Sequence, residues 1–271
     1  MKSQIWWITG ASSGIGEALA LLLAKRGAKL ILSGRNVAAL EAVAAQCGET
    51  LILPFEAADY DAIPALTERA WAWQGRVHGL INNAGISQRS LAIDTDFSVY
   101  QRMIAVDLLG PIALTQANLP RMVAAGGGHI VAISSVAGIA GVALRSAYCA
   151  AKHGLIGYHD AVRAENEHLG VQVHVIAPGS IRTNVSRNAL NADGSTRGVS
   201  DKAIEEGMDA GDAAAAMLTA IAAGQRELIL ATGVEGHIAA LRRSDPDGAF
   251  DLIAATVKAG YAAKMAADQS H

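Results

Sequence analysis

Apolar positions along this chain fall into two alternating kinds of run. Short stretches rich in β-branched residues cover Gln4–Thr9, Lys29–Ser33, Thr50–Leu53, Val77–Asn82, His129–Ser134, Val171–Ile176 and Glu227–Leu230. Runs this short, bounded by Gly, Asn or Ser, predict buried strands. Longer Ala- and Leu-rich stretches lie between them: Gly14–Arg26, Val37–Cys47, Asp61–Gln74, Val99–Ala125, Ala147–Leu169 and Gly211–Ala223. These predict helices. Strands alternating with helices predict an α/β fold, a single Rossmann-like domain over 1–271 whose doubly wound parallel sheet carries helices on both faces. Its crossovers should be right-handed.

The rhythm breaks twice. Residues 184–207 are polar and turn-rich, with Asn188, Asn191, Asp193, Gly194, Ser195 and Gly198. A stretch that long without periodic structure reads as a functional loop, and its Gly and Asn content predicts a lid over a substrate. We take 184–210 as a substrate-loop insertion. The tail, 233–271, reads as two amphipathic helices separated by Ser244-Asp245-Pro246-Asp247-Gly248.

Charge and cysteine content narrow the classes. A net charge of −3 gives no electrostatic case for nucleic acid. No apolar run approaches the ~20 residues needed to span a bilayer. The opening residues, MKSQIWWITG, run into a strand without the apolar stretch of a secretion signal. Two cysteines, Cys47 and Cys149, form no disulfide framework or metal spacing, which fits a reducing cytoplasm. The eight histidines show no ligand pattern, so no metal is expected.

Candidate chemistry sits at the strand ends. After the first strand comes Thr9-Gly10-Ala11-Ser12-Ser13-Gly14-Ile15-Gly16, leading into a helix. Glycines there permit a tight turn and close backbone approach to a pyrophosphate, and the helix start offers free N–H groups. Further on, Tyr148 and Lys152 stand one helical turn apart, so both lie on one helix face. An ammonium beside a phenol favours the ionised phenol, and a tyrosine so placed can exchange a proton with a substrate oxygen. Alone, such a pair is more often a surface pair.

The glycines at 10, 14 and 16 are spaced Gly-x-x-x-Gly-x-Gly, and here the chain resembles the short-chain dehydrogenase/reductase family in its classical form. The resemblance runs from residue 4 to about 183 in the family's motif order: Asn82-Asn83-Ala84-Gly85, Ile133-Ser134-Ser135, Tyr148-Cys149-Ala150-Ala151-Lys152, then Pro178-Gly179 with Thr183. A weaker resemblance, through Thr183-Asn184, Asn188-Ala189-Leu190 and Ala192 to Ser195, is to the seven-type dehydrogenase/reductase subgroup, whose members are associated with lipophilic carbonyl substrates.

The resemblance implies hydride transfer between a nicotinamide and a carbonyl or alcohol carbon. It implies that Tyr148 is the acid or base, that Lys152 holds the nicotinamide ribose, and that Ser135 hydrogen-bonds the substrate oxygen. Where the family usually has asparagine, holding a water in a proton relay, this chain has Asp107. A carboxylate can accept from that water but cannot donate when ionised. The implied cofactor contacts are Gly10, Ser12, Ser13, Gly14, Ile15, Gly16, Ser33, Arg35, Glu56, Asn83, Ala84, Gly85, Tyr148, Lys152, Pro178, Gly179, Ile181 and Thr183. Gly34 replaces the acid typical of NAD users, and Arg35 follows it with a donor fork suited to phosphate. This favours NADP(H) and leaves NAD(H) open. Glu56 stands where an aspartate usually contacts the adenine.

The substrate pocket is expected between Ser135, the apolar segment Val136–Leu144, and the 184–207 loop, which fits a lipophilic carbonyl compound or alcohol. A homodimer or homotetramer is expected from the resemblance. Two other readings remain: an NADP(H)-binding regulator that has lost catalysis, for which Asp107 is the one argument, and a sugar-nucleotide epimerase or dehydratase, against which the glycine spacing and short C-terminal part both stand.

Overall fold

The five residues of β1 (Ile5–Thr9) are all buried. Trp6 and Ile8 pack into one apolar layer, Ile5 and Trp7 into the other, as the two-residue period of a strand requires. A strand buried on both faces belongs inside a parallel sheet. The computed structural model describes residues 1–261 and shows that sheet: seven strands, β1, β2 (Lys29–Ser33), β3 (Thr50–Ile52), β4 (Gly79–Asn82), β5 (Gly128–Ile133), β6 (Val171–Pro178) and β7 (Glu227–Leu230). Every pairing is parallel, in the order β3-β2-β1-β4-β5-β6-β7. The order reverses between β1 and β4, and ligands of such sheets bind beyond the carboxyl ends of the strands at that reversal.

Helices cover both faces. Leu19, Ala20 and Leu23 of α1 (Gly14–Lys25) join Trp6, Leu30 and Leu32 in the first layer, with Leu40 and Val43 of α2 (Val37–Ala44) at its edge. Ile63, Leu66 and Trp71 of α3 (Ile63–Gln74) join Trp7, Ile31 and Leu80 in the second.

The expected single helix over Val99–Ala125 is two. α4 (Phe97–Ile104) and α5 (Gly110–Ala124) are joined by a π turn at Ala105–Leu109. Pro111 has no N–H to give the carbonyl four residues back, at Asp107, so the α register breaks there. The catalytic-helix candidate is α6 (Ser146–Asn166). The 184–207 segment contains a short helix, α7 (Lys202–Glu205), which the sequence pattern does not predict. α8 (Ala210–Ala222) completes the first layer through Ala213, Met217 and Leu218. The tail forms α9 (Gly233–Ser244) and α10 (Pro246–Lys258), as expected; its last ten positions, 262–271, lie outside the described residues.

Candidate active site

Where β1 and β4 end, the glycine turn and the Asn83-Ala84-Gly85 segment are tied together. Thr9 Oγ1 accepts from the main-chain N–H groups of Asn83 and Ala84, both at 3.0 Å. The Asn83 amide donates back to the Thr9 carbonyl at 3.0 Å and the Gly10 carbonyl at 3.3 Å. Gly10 has φ of 65° and Gly14 of 59°, a conformation in which other residues are strained. A Cβ at position 16 would lie 2.2 Å from the Gly10 carbonyl oxygen, so only glycine lets α1 start this close to β1. Ser13 at the N-cap of α1 makes no side-chain cap hydrogen bond. The first N–H groups of the helix therefore lack a side-chain acceptor, the arrangement that receives phosphate oxygens. These features fit a dinucleotide. Gly16→Ala is expected to push α1 off the turn and weaken dinucleotide binding at least about ten-fold, ~1.4 kcal/mol, in a fluorescence titration; unchanged affinity would contradict the tight approach.

The end of β2 departs from expectation at one position. Ser33 was expected to offer a hydroxyl to the cofactor, but it is fully buried and its Oγ accepts the Trp7 indole N–H at 2.8 Å. Ser33 lies in register with Ile31, on the Trp7 side of the sheet, so its hydroxyl faces the core and not a ligand. Arg35 and Glu56 do stand at the mouth, exposed, with Nη1 and Oε2 3.5 Å apart. The side chain of Ser12 lies against Gly34, where a Cβ would be 3.5 Å from its Oγ.

The chemistry-bearing side chains gather around β5 and α6. Ser134 donates its hydroxyl to the Lys152 carbonyl at 3.0 Å, and a Cβ on Gly138 would lie 2.7 Å from that same carbonyl oxygen. The segment after β5 is thus pressed onto the α6 turn that carries Tyr148 and Lys152. Ser135 caps the 3₁₀ turn Val136–Gly138 by accepting the Ala137 N–H at 3.2 Å, and donates to the Pro178 carbonyl at 3.3 Å.

Lys152 is 4% exposed. Its ammonium donates to the Ile133 carbonyl at 3.1 Å and lies 5.5 Å from the centre of the Tyr148 ring. Asp107, fully buried on the π turn, places Oδ2 3.2 Å from the ammonium while Oδ1 accepts the Ile86 N–H at 2.8 Å. Burial pulls the Lys152 pKa down, but Asp107 and Tyr148 outweigh it and hold the ammonium above the ordinary lysine value. The packing is tight: a Cβ on Gly85 would sit 2.9 Å from Asp107 Oδ2.

β6 delivers Pro178 and Gly179 to the same edge. Ile181 is buried in the core and bridges to Met208, so it presents no side chain to the crevice. Thr183 stands against the glycine turn, where a Cβ on Gly14 would lie 2.9 Å from its methyl carbon. A groove of about 620 Å³ opens beside Gly14 and Thr183 and runs along α1 past Glu17 and Lys25 to Arg187. Neither Tyr148 nor Ser135 lines it.

The 184–207 segment is tied down more firmly than its Gly and Asn content predicts. Leu190 exchanges main-chain hydrogen bonds with Ser87 and Arg89 at 2.8 Å. Asp201, 3% exposed, meets three guanidinium groups: Arg89 Nε at 2.6 Å, Arg145 Nη2 at 3.2 Å, and Arg197. Burial and the neighbouring Arg145 pull the Arg89 pKa down to about 10. Sequence reading missed Arg89, Arg145 and Asp201, and took Thr9 only as the start of the glycine turn. Asp201 is 112 positions from Arg89, and no local pattern links them.

Comparison with known proteins bears on the family and the fold. The family model for short chain dehydrogenases matches residues 4–194. A mouse (Mus musculus) protein named dehydrogenase/reductase SDR family member 7B is 37% identical over 266 residues, covering 95% of this chain and 82% of that protein. The Danio rerio protein of that name is 39% identical over 241 residues, covering 85% and 78%. The structure of a short-chain dehydrogenase/reductase from Burkholderia phymatum in complex with NAD superposes with a TM-score of 0.81 at 22% identity, over 91% of this chain and 95% of that one, and shows the shared fold. The chain thus belongs to the classical short-chain dehydrogenase/reductase family and, within it, resembles the family member 7 subgroup.

Proposed function

We propose that this oxidoreductase interconverts a carbonyl and an alcohol with NADP(H), and that Tyr148 gives the proton in reduction and takes it in oxidation. The observation that carries this reading is the burial of Lys152. A surface Tyr–Lys pair would leave the ammonium in water; here it is 4% exposed, fixed by Ile133 and Asp107, beside the Tyr148 ring. Burying a charge that completely is costly unless it is paired, and the chain supplies the partner.

The residues around the glycine turn fit a dinucleotide, with the pyrophosphate at the start of α1 and the nicotinamide end toward Pro178 and Gly179. When bound, the nicotinamide supplies or accepts the hydride. Tyr148 then donates its proton to the carbonyl oxygen, and the Lys152 ammonium stabilises the phenolate left behind. Ser135 exchanges its 3.3 Å bond to the Pro178 carbonyl for the substrate oxygen, giving that oxygen a second donor. Asp107 keeps Lys152 charged and in place, so its replacement of the family's asparagine is compatible with catalysis. This reading is preferred over a catalytically impaired regulator for that reason.

Arg35 supports NADP(H). Its side chain is 61% exposed, and its 3.5 Å contact with Glu56 is an exposed pair that contributes little and yields to a phosphate. Arg35→Ala is expected to weaken NADPH binding about 10- to 100-fold, the worth of one or two charge-assisted hydrogen bonds, and to leave NADH binding unchanged. Equal losses for both cofactors in parallel titrations would contradict the preference, with Glu56 then the determinant of an NAD(H) enzyme.

Ile139, Val142, Ala143 and Leu144 line the substrate side, all partly exposed, and support a lipophilic carbonyl compound. Among the described residues no helix is long and apolar enough to cross a membrane. Two free cysteines support a reducing, cytoplasmic setting. Exposed Ile93, Phe97 and Leu109, on and beside α4, support a homodimer or homotetramer. The test is a panel of aldehydes and ketones assayed with NADPH and NADH in parallel. Turnover of apolar members with NADPH is expected; cofactor binding without turnover across the panel would favour the regulator.

A further inference from the structure

The two tail helices reach the site at separate points. Glu235, in the first turn of α9, accepts the Ser180 N–H at 2.7 Å and the Ser180 hydroxyl at 2.8 Å. A Cβ on Gly179 would lie 2.3 Å from the same carboxylate, so it sits directly behind the Pro178–Ser180 turn. At the other end of the hairpin, beyond α10, Tyr261 accepts from Arg145 Nη1 at 3.1 Å. Arg145 precedes Tyr148 by three residues and stands at the N-cap position of α6, without a side-chain cap hydrogen bond. It follows Leu144, which is held at φ of 66°, a strained value for a non-glycine residue. The Leu144 carbonyl accepts from Ser90 at 3.1 Å, and the Arg145 guanidinium reaches Asp201 of the substrate loop at 3.2 Å. Burial opposes the Arg145 charge, but Tyr261, Asp201 and Tyr148 outweigh it and hold it above the ordinary arginine value.

We propose that the C-terminal hairpin is a brace for both halves of the site: Glu235 positions the turn on the cofactor side, and Tyr261, through Arg145 and Asp201, positions the substrate loop against the start of the catalytic helix. Nothing in this arrangement touches a reacting atom; Glu235, Arg145 and Tyr261 are positioning residues. The two arms contact different segments, so their effects separate. Arg145 is also the dispensable cation of its cluster, because Asp201 keeps Arg89 and Arg197 without it. A variant there retains a neutralised carboxylate and the fold.

The inference rests in part on the carbonyl-reductase reading, so the test has arms that need no turnover. Glu235→Gln loses one of two acceptor oxygens, and the expected result is a 5- to 20-fold rise, roughly 1–2 kcal/mol, in the NADPH dissociation constant, with the carbonyl KM within about two-fold of native. Arg145→Gln and Tyr261→Phe are expected to raise the carbonyl KM by a similar factor, with NADPH affinity and kcat nearly unchanged. They should also speed tryptic cleavage at Arg187 and Lys202 in the loop, and Arg145→Lys should restore part of the loss by keeping a charge opposite Asp201. Cofactor affinity, KM and melting temperature shifting together in all variants would overturn the brace, as would variants indistinguishable from native. Absence of turnover in the native protein would count against the reductase reading alone, because titration and proteolysis still report on both arms.

Discussion

Tyr148→Phe is expected to lower kcat for carbonyl reduction by about 10²- to 10⁴-fold, the usual contribution of a positioned general acid, while leaving NADPH affinity and folding nearly intact. The substitution removes one oxygen from a half-buried ring whose hydroxyl has no hydrogen-bond partner among the described residues. The phenyl ring still covers the Lys152 ammonium, which lies 5.5 Å from the ring centre and keeps its bonds to Ile133 and Asp107. The loss should therefore appear in kcat, with circular dichroism and melting temperature unmoved. A variant retaining most of the native kcat would show that another group supplies the proton.

Asp107→Asn has the second large effect, and it is first an effect on stability. The asparagine oxygen can still accept the Ile86 N–H. Lys152 loses the one carboxylate paired with it among the described residues and becomes a buried, uncompensated cation. Breaking such a pair by removing one partner costs about 3–5 kcal/mol, which for a chain of this size lowers the melting temperature by roughly 10 °C or more. Burial pushes the Asp107 carboxyl above its ordinary value as well, so the sign of the pH dependence in the alkaline range is read from Lys152. The folded Lys152 pKa is raised above its unfolded value of 10.5. The stability it contributes is fully present below that value and lost as pH rises through the folded pKa. The gap between native and variant should hold at neutral pH and close only above about 10.5. Thermal melts across that range check it. The rate profile moves as well. Without the Asp107 charge less offsets the burial of the Lys152 ammonium, so the alkaline limb of the variant's profile should move to lower pH. Superimposable profiles would contradict a role for Asp107 in the proton path.

The alternation of strands and helices was legible because a parallel strand must be apolar on both faces while its covering helices need only one apolar stripe. Ile5–Thr9 and Gly14–Lys25 illustrate the two patterns. The strand-end motifs were legible for a related reason: each places a special residue within a few positions of a strand end, as Gly10 and Asn83 do. What was not legible depends on register or distance. The helix over 99–125 read as continuous because Pro111 alone does not announce a π turn, yet that turn aims Asp107 inward. Ser33 looked available because a strand-end serine can face either side; only the register against Trp7 shows that it faces the core. The Arg89–Asp201 contact joins segments whose local composition reads simply as polar loop, and its ionic cluster explains why a stretch rich in Gly and Asn is held in place.

The central claim is that the crevice beside Tyr148 passes a hydride to a carbonyl carbon. The direct measurement uses NADPH deuterated at the transferable nicotinamide position, incubated with native protein and a panel of apolar aldehydes and ketones, with product alcohols read by mass spectrometry. The account predicts one deuterium on the carbinol carbon, and its near-disappearance in Tyr148→Phe. Saturable NADPH binding with no deuterium delivered to any member of the panel would contradict it.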